Sequence, residues 1–204
     1  NDLNFPSKER DHIYTSLVYP TTKMCAEHAL RAYSETYGIS TYALRLFNMY
    51  GPRQDFFRKQ PPLIGYLLKC LFNNETQQLY SDGEQSRDYV YINVLAEIVI
   101  EVLSNIYDKI TLTPLNIGSG VSTSVNEISD YLGLNHGSKI NVERNPSDLF
   151  WQKYPSLFDR KNPLNKNIIQ KEVNKYSLAD ISRVTELTGI KCNTEMHQGL
   201  KECY

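Results

Sequence analysis

The chain predicts an α/β fold. Helical periods alternate with short apolar or β-branched runs along most of its length. One of those runs, STYALRLFNMYG, is apolar on both faces, which suits a buried parallel strand. Glycines stand where helices should stop, at Gly38 and Gly189, and Asp82-Gly83 marks a turn between two further strands.

The elements follow in order. From Ser16 to Tyr37 the spacing predicts a helix. Pro20 falls early in it, where a missing N–H is tolerated, and Gly38 stops it. The strand that begins at Ser40 runs into the loop GPRQD. After QPP a second helix covers Leu63–Phe72 and ends at NNE. QLYSDGEQSRDYVYI reads as two short strands around the Asp-Gly turn. Asn93 is placed to cap a third helix, Val94–Tyr107. LTPLNIG is a strand, and SGVST leads from it to a fourth helix, Ser124–Leu134. KINVE is a short strand, and SLADISRVTELTG, ending at Gly189, is the last helix. Between them, residues 144–176 are irregular and rich in Asn, Lys and aromatics. There LFWQKYPSLF sets Phe150, Trp151, Tyr154, Leu157 and Phe158 on one side of a short helix interrupted by Pro155. Such a segment is either a satellite cluster over the core or a lid over a site.

Composition bounds the function. A chain of 204 residues can bury a core and holds one domain or a domain and a half. The net charge of -1 gives no electrostatic reason to expect nucleic acid or an anionic membrane. No apolar run approaches a membrane span. Cys25, Cys70, Cys192 and Cys203 are scattered, and read as reduced thiols of a cytoplasmic protein. His12, His28, His136 and His197 are scattered too, so no metal site is expected. There is neither a G-x-S-x-G elbow nor a Walker loop.

Tyr19 and Lys23 stand four apart at the start of the first helix. Taken alone, the pair is either a proton-transfer couple or a solvated lysine beside a half-buried tyrosine. In a chain with 15 tyrosines the spacing arises by chance about once. Its surroundings decide. YPTTK, ALRLFNMYGPRQ, LYSDGEQSRDYVYI, LNIGSGVSTSVNEI and SLADISRVTELTGI follow one another in that order. Together they resemble the extended short-chain dehydrogenase/reductase family, and within it the NAD-dependent nucleotide-sugar epimerases and dehydratases.

That resemblance implies a partial doubly wound, Rossmann-type domain plus a small α+β substrate-binding domain. Residues 1–60 would be the last part of the NAD-binding domain and 61–204 the substrate domain, with the strand near 112–117 returning to the NAD-domain sheet. The family's Gly-rich pyrophosphate turn has no match here: GSGVST lacks the third glycine and comes too late. The expectation is therefore the C-terminal part of such an enzyme.

Residue by residue, the resemblance implies that Tyr19 is the acid/base. A free phenol is a poor base at neutral pH, with a pKa near 10. An ammonium one turn along the same helix face favours the phenolate. Lys23 would also hold the nicotinamide ribose, and Phe47 would pack near the nicotinamide. Asn48 would touch the nucleotide-sugar, or else simply close a strand end. Arg87 would grip the substrate's diphosphate, its planar fork matching two phosphate oxygens; an ion pair with Asp88 is the structural alternative. Arg144 would be a second phosphate arginine or a surface one. Leu79 and Tyr80 would border the nucleotide base or be ordinary strand residues. A homodimer built on the tyrosine-bearing helix is implied as well.

The sequence departs from the family at Ser81, where glycine is frequent, at Asn93 and Val94, where an Asp pair stands, and at Gly65, where a proline opens the helix. An epimerase leads. A 4,6-dehydratase is the runner-up, with a reductase or decarboxylase left open behind it, and a non-catalytic nucleotide-sugar-binding or oligomerising module is the alternative of another class.

Overall fold

The computed structural model describes residues 5–13, 15, 17–59, 61–105, 112–137, 140–146, 176–192 and 194–203. The Phe150–Phe158 aromatic segment, the start of the first helix at Ser16 and the end of the third at Tyr107 lie outside them.

The fold is α/β. Helix α1 spans Val18–Tyr37 and ends on Gly38, whose φ of 65° is the left-handed conformation that a glycine adopts most readily. The predicted long strand is two strands: β1, Thr41–Leu46, and β2, Asn48–Tyr50. Helix α2 is Leu63–Phe72. Strands β3, Gln77–Tyr80, and β4, Ser86–Tyr91, flank the Asp82-Gly83 turn. Ser81 has a φ of 65°, the left-handed conformation that glycine adopts most readily. Then come α3, Ile92–Ser104, β5, Leu112–Ile117, β6, Ser122–Ser124, α4, Val125–His136, β7, Val142–Asn145, α5, Ser182–Thr188, and α6, Met196–Lys201.

Several expectations are corrected. Asn93 does not cap α3: the helix starts at Ile92 behind Tyr91, so Asn93 is already inside it. Ser177–Asp180 is extended, not helical, because its backbone is drawn to neighbours. Ser7 donates to the Leu178 carbonyl at 2.9 Å, and Asp180 donates to that of Ser7 at 2.9 Å. Nor is α5 the last helix, since α6 follows it. The link SGVST and the first residue expected in the fourth helix hold strand β6. Three residues, Ser-Thr-Ser, carry too little pattern to show a strand, yet they pair antiparallel with β4. Strand β1 is not buried on both faces among the described residues; Ala43 alone in it is buried.

Pairing explains the break at Phe47. Strand β1 pairs parallel with β5, and Phe47 extends that ladder by donating to the Ile117 carbonyl at 2.9 Å. One residue later the chain leaves: β2 pairs parallel with β4, which pairs in turn with β6. Asn48 thus opens the strand that carries the chain from one sheet to the other. A third sheet joins β3 to β7, also parallel. Leu67, Ile98, Leu115, Ile117, Ile128, Leu132, Val184 and Leu200 are fully buried and weld these sheets to the helices. At the start of α4, Ser124 and Glu127 form a reciprocal capping box, at 3.2 and 2.7 Å.

Candidate active site

Helix α1 presents its first turns to solvent. Tyr19 is 72% exposed, and the Lys23 ammonium lies 5.3 Å from the centre of its ring. The helical spacing therefore does bring the two side chains together. Pro20 in the first turn lets the helix start here without losing an internal bond. Beneath α1, Arg45 of β1 holds Glu27 in a two-pronged ion pair at 2.7 and 2.8 Å. It also donates to the Glu9 carbonyl at 3.0 Å, fixing the helix and the preceding loop to the strand. The hydrogen bonding from Arg45 to Glu27 itself is the main reason the Glu27 carboxyl is held below its usual range.

Phe47 and Asn48 sit at the crossing between the sheets. Phe47 is half-buried and Asn48 is exposed, with its amide donating to the Asp88 carbonyl at 3.4 Å. On β4, Arg87 is half-buried, and its Nη1 donates to the Ser86 carbonyl at 2.9 Å. Burial pulls this guanidinium below its ordinary value, with Tyr89 acting in the opposite sense. A cation partly stripped of water gains more from a phosphate than an exposed one does. Tyr89, two residues on, is pushed up to about 12 by burial.

The third group lies on β3 and β7. Leu79 is buried and faces Arg144 across the ladder, while Tyr80 is half-buried opposite Asn145. Arg144 is exposed and already engaged: Nη1 donates to the Asp82 carbonyl at 2.6 Å and Nη2 to Asn126 Oδ1 at 2.8 Å. Both contacts close the Asp82-Gly83 turn. They give Arg144 a structural task in addition to any at a phosphate. Arg87 and Asn48 are joined through the β2–β4 pair, whereas Leu79, Tyr80 and Arg144 form a separate group.

The sequence offers Asp88 only as a partner for Arg87. It is fully buried, and its carboxylate takes four hydrogen bonds from the turn after β5 and from Ala179. Strand alternation held the signal, since residue 88 faces opposite to 87 and 89. Tyr89 also borders a cavity of about 760 Å³ beside α4, α5 and α6; none of the sequence-predicted site residues lines it. Among the described residues no cluster of three or more His, Cys, Asp or Glu could hold a metal, and no helix is long and apolar enough to cross a membrane. All four cysteines are free.

Known proteins place this architecture. The family model for the NAD dependent epimerase/dehydratase family matches residues 2–118. The dTDP-L-rhamnose 4-epimerase of Burkholderia thailandensis is 30% identical over 121 residues, 59% of this chain and 33% of its own. A UDP-N-acetyl-alpha-D-glucosaminuronate decarboxylase of Bacillus cytotoxicus is 26% identical over 183 residues, 88% of this chain and 48% of its own. The UDP-N-acetylglucosamine 4-epimerase of Methanobrevibacter ruminantium, solved with UDP-N-acetylmuramic acid, superposes with a TM-score of 0.77 at 27% identity. That superposition covers 98% of this chain and 56% of the other. The chain thus spans about half, or less, of the length of these relatives. With more than half of its residues matched by the family model, the chain belongs to the NAD-dependent epimerase/dehydratase family.

Proposed function

We propose that this chain is the C-terminal, substrate-holding part of an NAD-dependent nucleotide-sugar epimerase of the UDP-hexose type. Residues 1–60 would be the end of the NAD-binding domain and 61–204 the substrate domain, with β5 belonging to the former's sheet. The observation that carries the reading is the Tyr19–Lys23 contact on an open helix face, within a chain of this family. Tyr19 Oη holds and moves the proton of a sugar hydroxyl. Lys23 stands beside the ring on the same helix face, where it would hold the cofactor's ribose.

Tyr19, Lys23 and Phe47 would hold the nicotinamide end of the cofactor. Tyr19 and Lys23 are exposed on α1, and Phe47, half-buried after β1, is the apolar residue assigned to that end. When bound, NAD supplies the hydride acceptor. Arg87 holds the diphosphate, Asn48 the sugar, and Leu79 with Tyr80 the side of the base, with Arg144 as a second phosphate contact. A homodimer, as in the family, places α1 in the interface. The isolated chain is then inactive, because the groups for the NAD pyrophosphate are not among its residues.

A second reading, decarboxylation, is favoured by the Bacillus cytotoxicus enzyme, whose alignment reaches 88% of this chain. Turnover by the enzyme completed with its dinucleotide-binding half tests the assignment. Tyr19→Phe should keep substrate binding and lose about 10²–10⁴-fold in rate. Near wild-type turnover would remove Tyr19 from the acid/base role.

A further inference from the structure

Every polar group of Asp88 is committed. Its N–H donates to Ser177 Oγ at 3.2 Å, and its carbonyl accepts from Asn48 at 3.4 Å. Oδ1 accepts from the Ser119 N–H at 2.6 Å and the Ser119 hydroxyl at 2.8 Å. Oδ2 accepts from the N–H groups of Gly120 and Ala179, both at 3.0 Å. The side chain is 0% exposed. A buried carboxylate is tolerated only when hydrogen bonds replace its lost water, and four do so here.

The packing around it confirms a close fit. A Cβ on Gly118 would lie 2.7 Å from Asp88 Oδ2 and 2.6 Å from Ala179 Cβ. Glycine is therefore required by the approach of the carboxylate.

What the knot joins matters. Ser119 and Gly120 lie in the turn after β5, one residue past its end, and β5 is in the sheet that contains β1. Asn48 opens β2, and Asp88 itself lies in β4 between Arg87 and Tyr89. We infer that Asp88 is the positioning residue of the substrate site: it locks β4 to the turn after β5, and so fixes Arg87 and Asn48 relative to the sheet that leads to Tyr19. Its carboxylate serves geometry on one strand face while Arg87 meets ligand on the other. This rests on the reading of Arg87 as the diphosphate residue, and the experiment separates the two.

The test uses the 204-residue chain and its Asp88→Asn and Ser119→Ala variants. Val184→Ala, a buried change in α5, is the control for general destabilisation. An amide at 88 turns N–H hydrogens toward donors, whereas Ser119→Ala removes one donor and keeps the fold if the first variant fails to fold. The first readout is the ¹⁵N order parameter of the Arg87 Nε–Hε group, with no ligand present. It should fall in Asp88→Asn, fall less in Ser119→Ala, and hold in Val184→Ala. The second is UDP titration, where Asp88→Asn should weaken affinity about tenfold. An unchanged order parameter in both variants, or an equal fall in Val184→Ala, overturns the positioning role whatever UDP does. A fall confined to the two variants, with no UDP binding by wild type, upholds the positioning and refutes only the diphosphate assignment.

Discussion

Gly118→Ala inserts one methyl group where the structure has no room. The new carbon would stand 2.6 Å from Ala179 Cβ and 2.7 Å from Asp88 Oδ2. Both neighbours are buried, and neither is the loose end of a long side chain. Relief requires the carboxylate or the 177–179 segment to move by most of an ångström. Overpacking of this kind costs about 1–3 kcal/mol. Moving Oδ2 also stretches its bonds to Gly120 and Ala179, each worth about 1.5–3 kcal/mol because the acceptor is charged. Partial relaxation leaves a net loss of about 2–4 kcal/mol, or roughly 5–15 °C in Tm for a chain of this size. Urea unfolding followed by circular dichroism, with a thermal scan beside it, measures this. A midpoint within about 1 °C of wild type would show that the Asp88 knot is loose, and the reasoning about its fit would fail.

Three further outcomes follow. The Glu27 carboxyl is held low chiefly by its hydrogen bond to Arg45, so that stabilisation is present above the ordinary glutamate range and lost as pH falls through the depressed folded value. Below about pH 4 the wild type should lose stability faster than Glu27→Gln, by about 1 kcal/mol after allowance for solvent; parallel pH profiles would deny the pair that role. Along α1, Val18, Tyr33 and Tyr37 are 80, 60 and 66% exposed, so the chain should associate, and Tyr33→Glu should weaken this in light scattering. A monodisperse monomer at high concentration would count against that face. Calorimetry with NAD should show no saturable binding to the isolated chain; clear binding unaffected by Lys23→Ala would mean the cofactor site is misplaced.

The alternation of helix and strand was readable because α1, α2 and α4 carry strong helical periods and glycines or polar stops at their ends. That Tyr19 and Lys23 meet was readable from their spacing on one helix, whereas what the pair does was readable only from the motifs around it. What stayed hidden depends on distant partners. Nothing local in FNMYG shows that the chain changes sheets after Phe47; that requires β4 to be on one side and β5 on the other. Ser122–Ser124 is too short to show a period, and it becomes a strand only because β4 offers it an edge. SLADISRV has a helix's amphipathicity, yet Ser7 and Asp88 capture its first residues. The ties of Arg144 to Asp82 and Asn126 span 62 and 18 residues. Asp88 was obscured by its neighbour: an acid beside an arginine invites an ion pair, whereas the strand turns the two apart.

The most direct measurement is calorimetry of UDP with the wild-type chain and with Arg87→Ala. Arg87 is half-buried on β4, and a charge-assisted contact from it is worth about 1.5–3 kcal/mol. Weak but saturable UDP binding is expected, with the variant weaker by about 10–100-fold and its fold intact by circular dichroism. Equal UDP affinity in the two proteins would contradict the claim that this chain holds the nucleotide-sugar through Arg87.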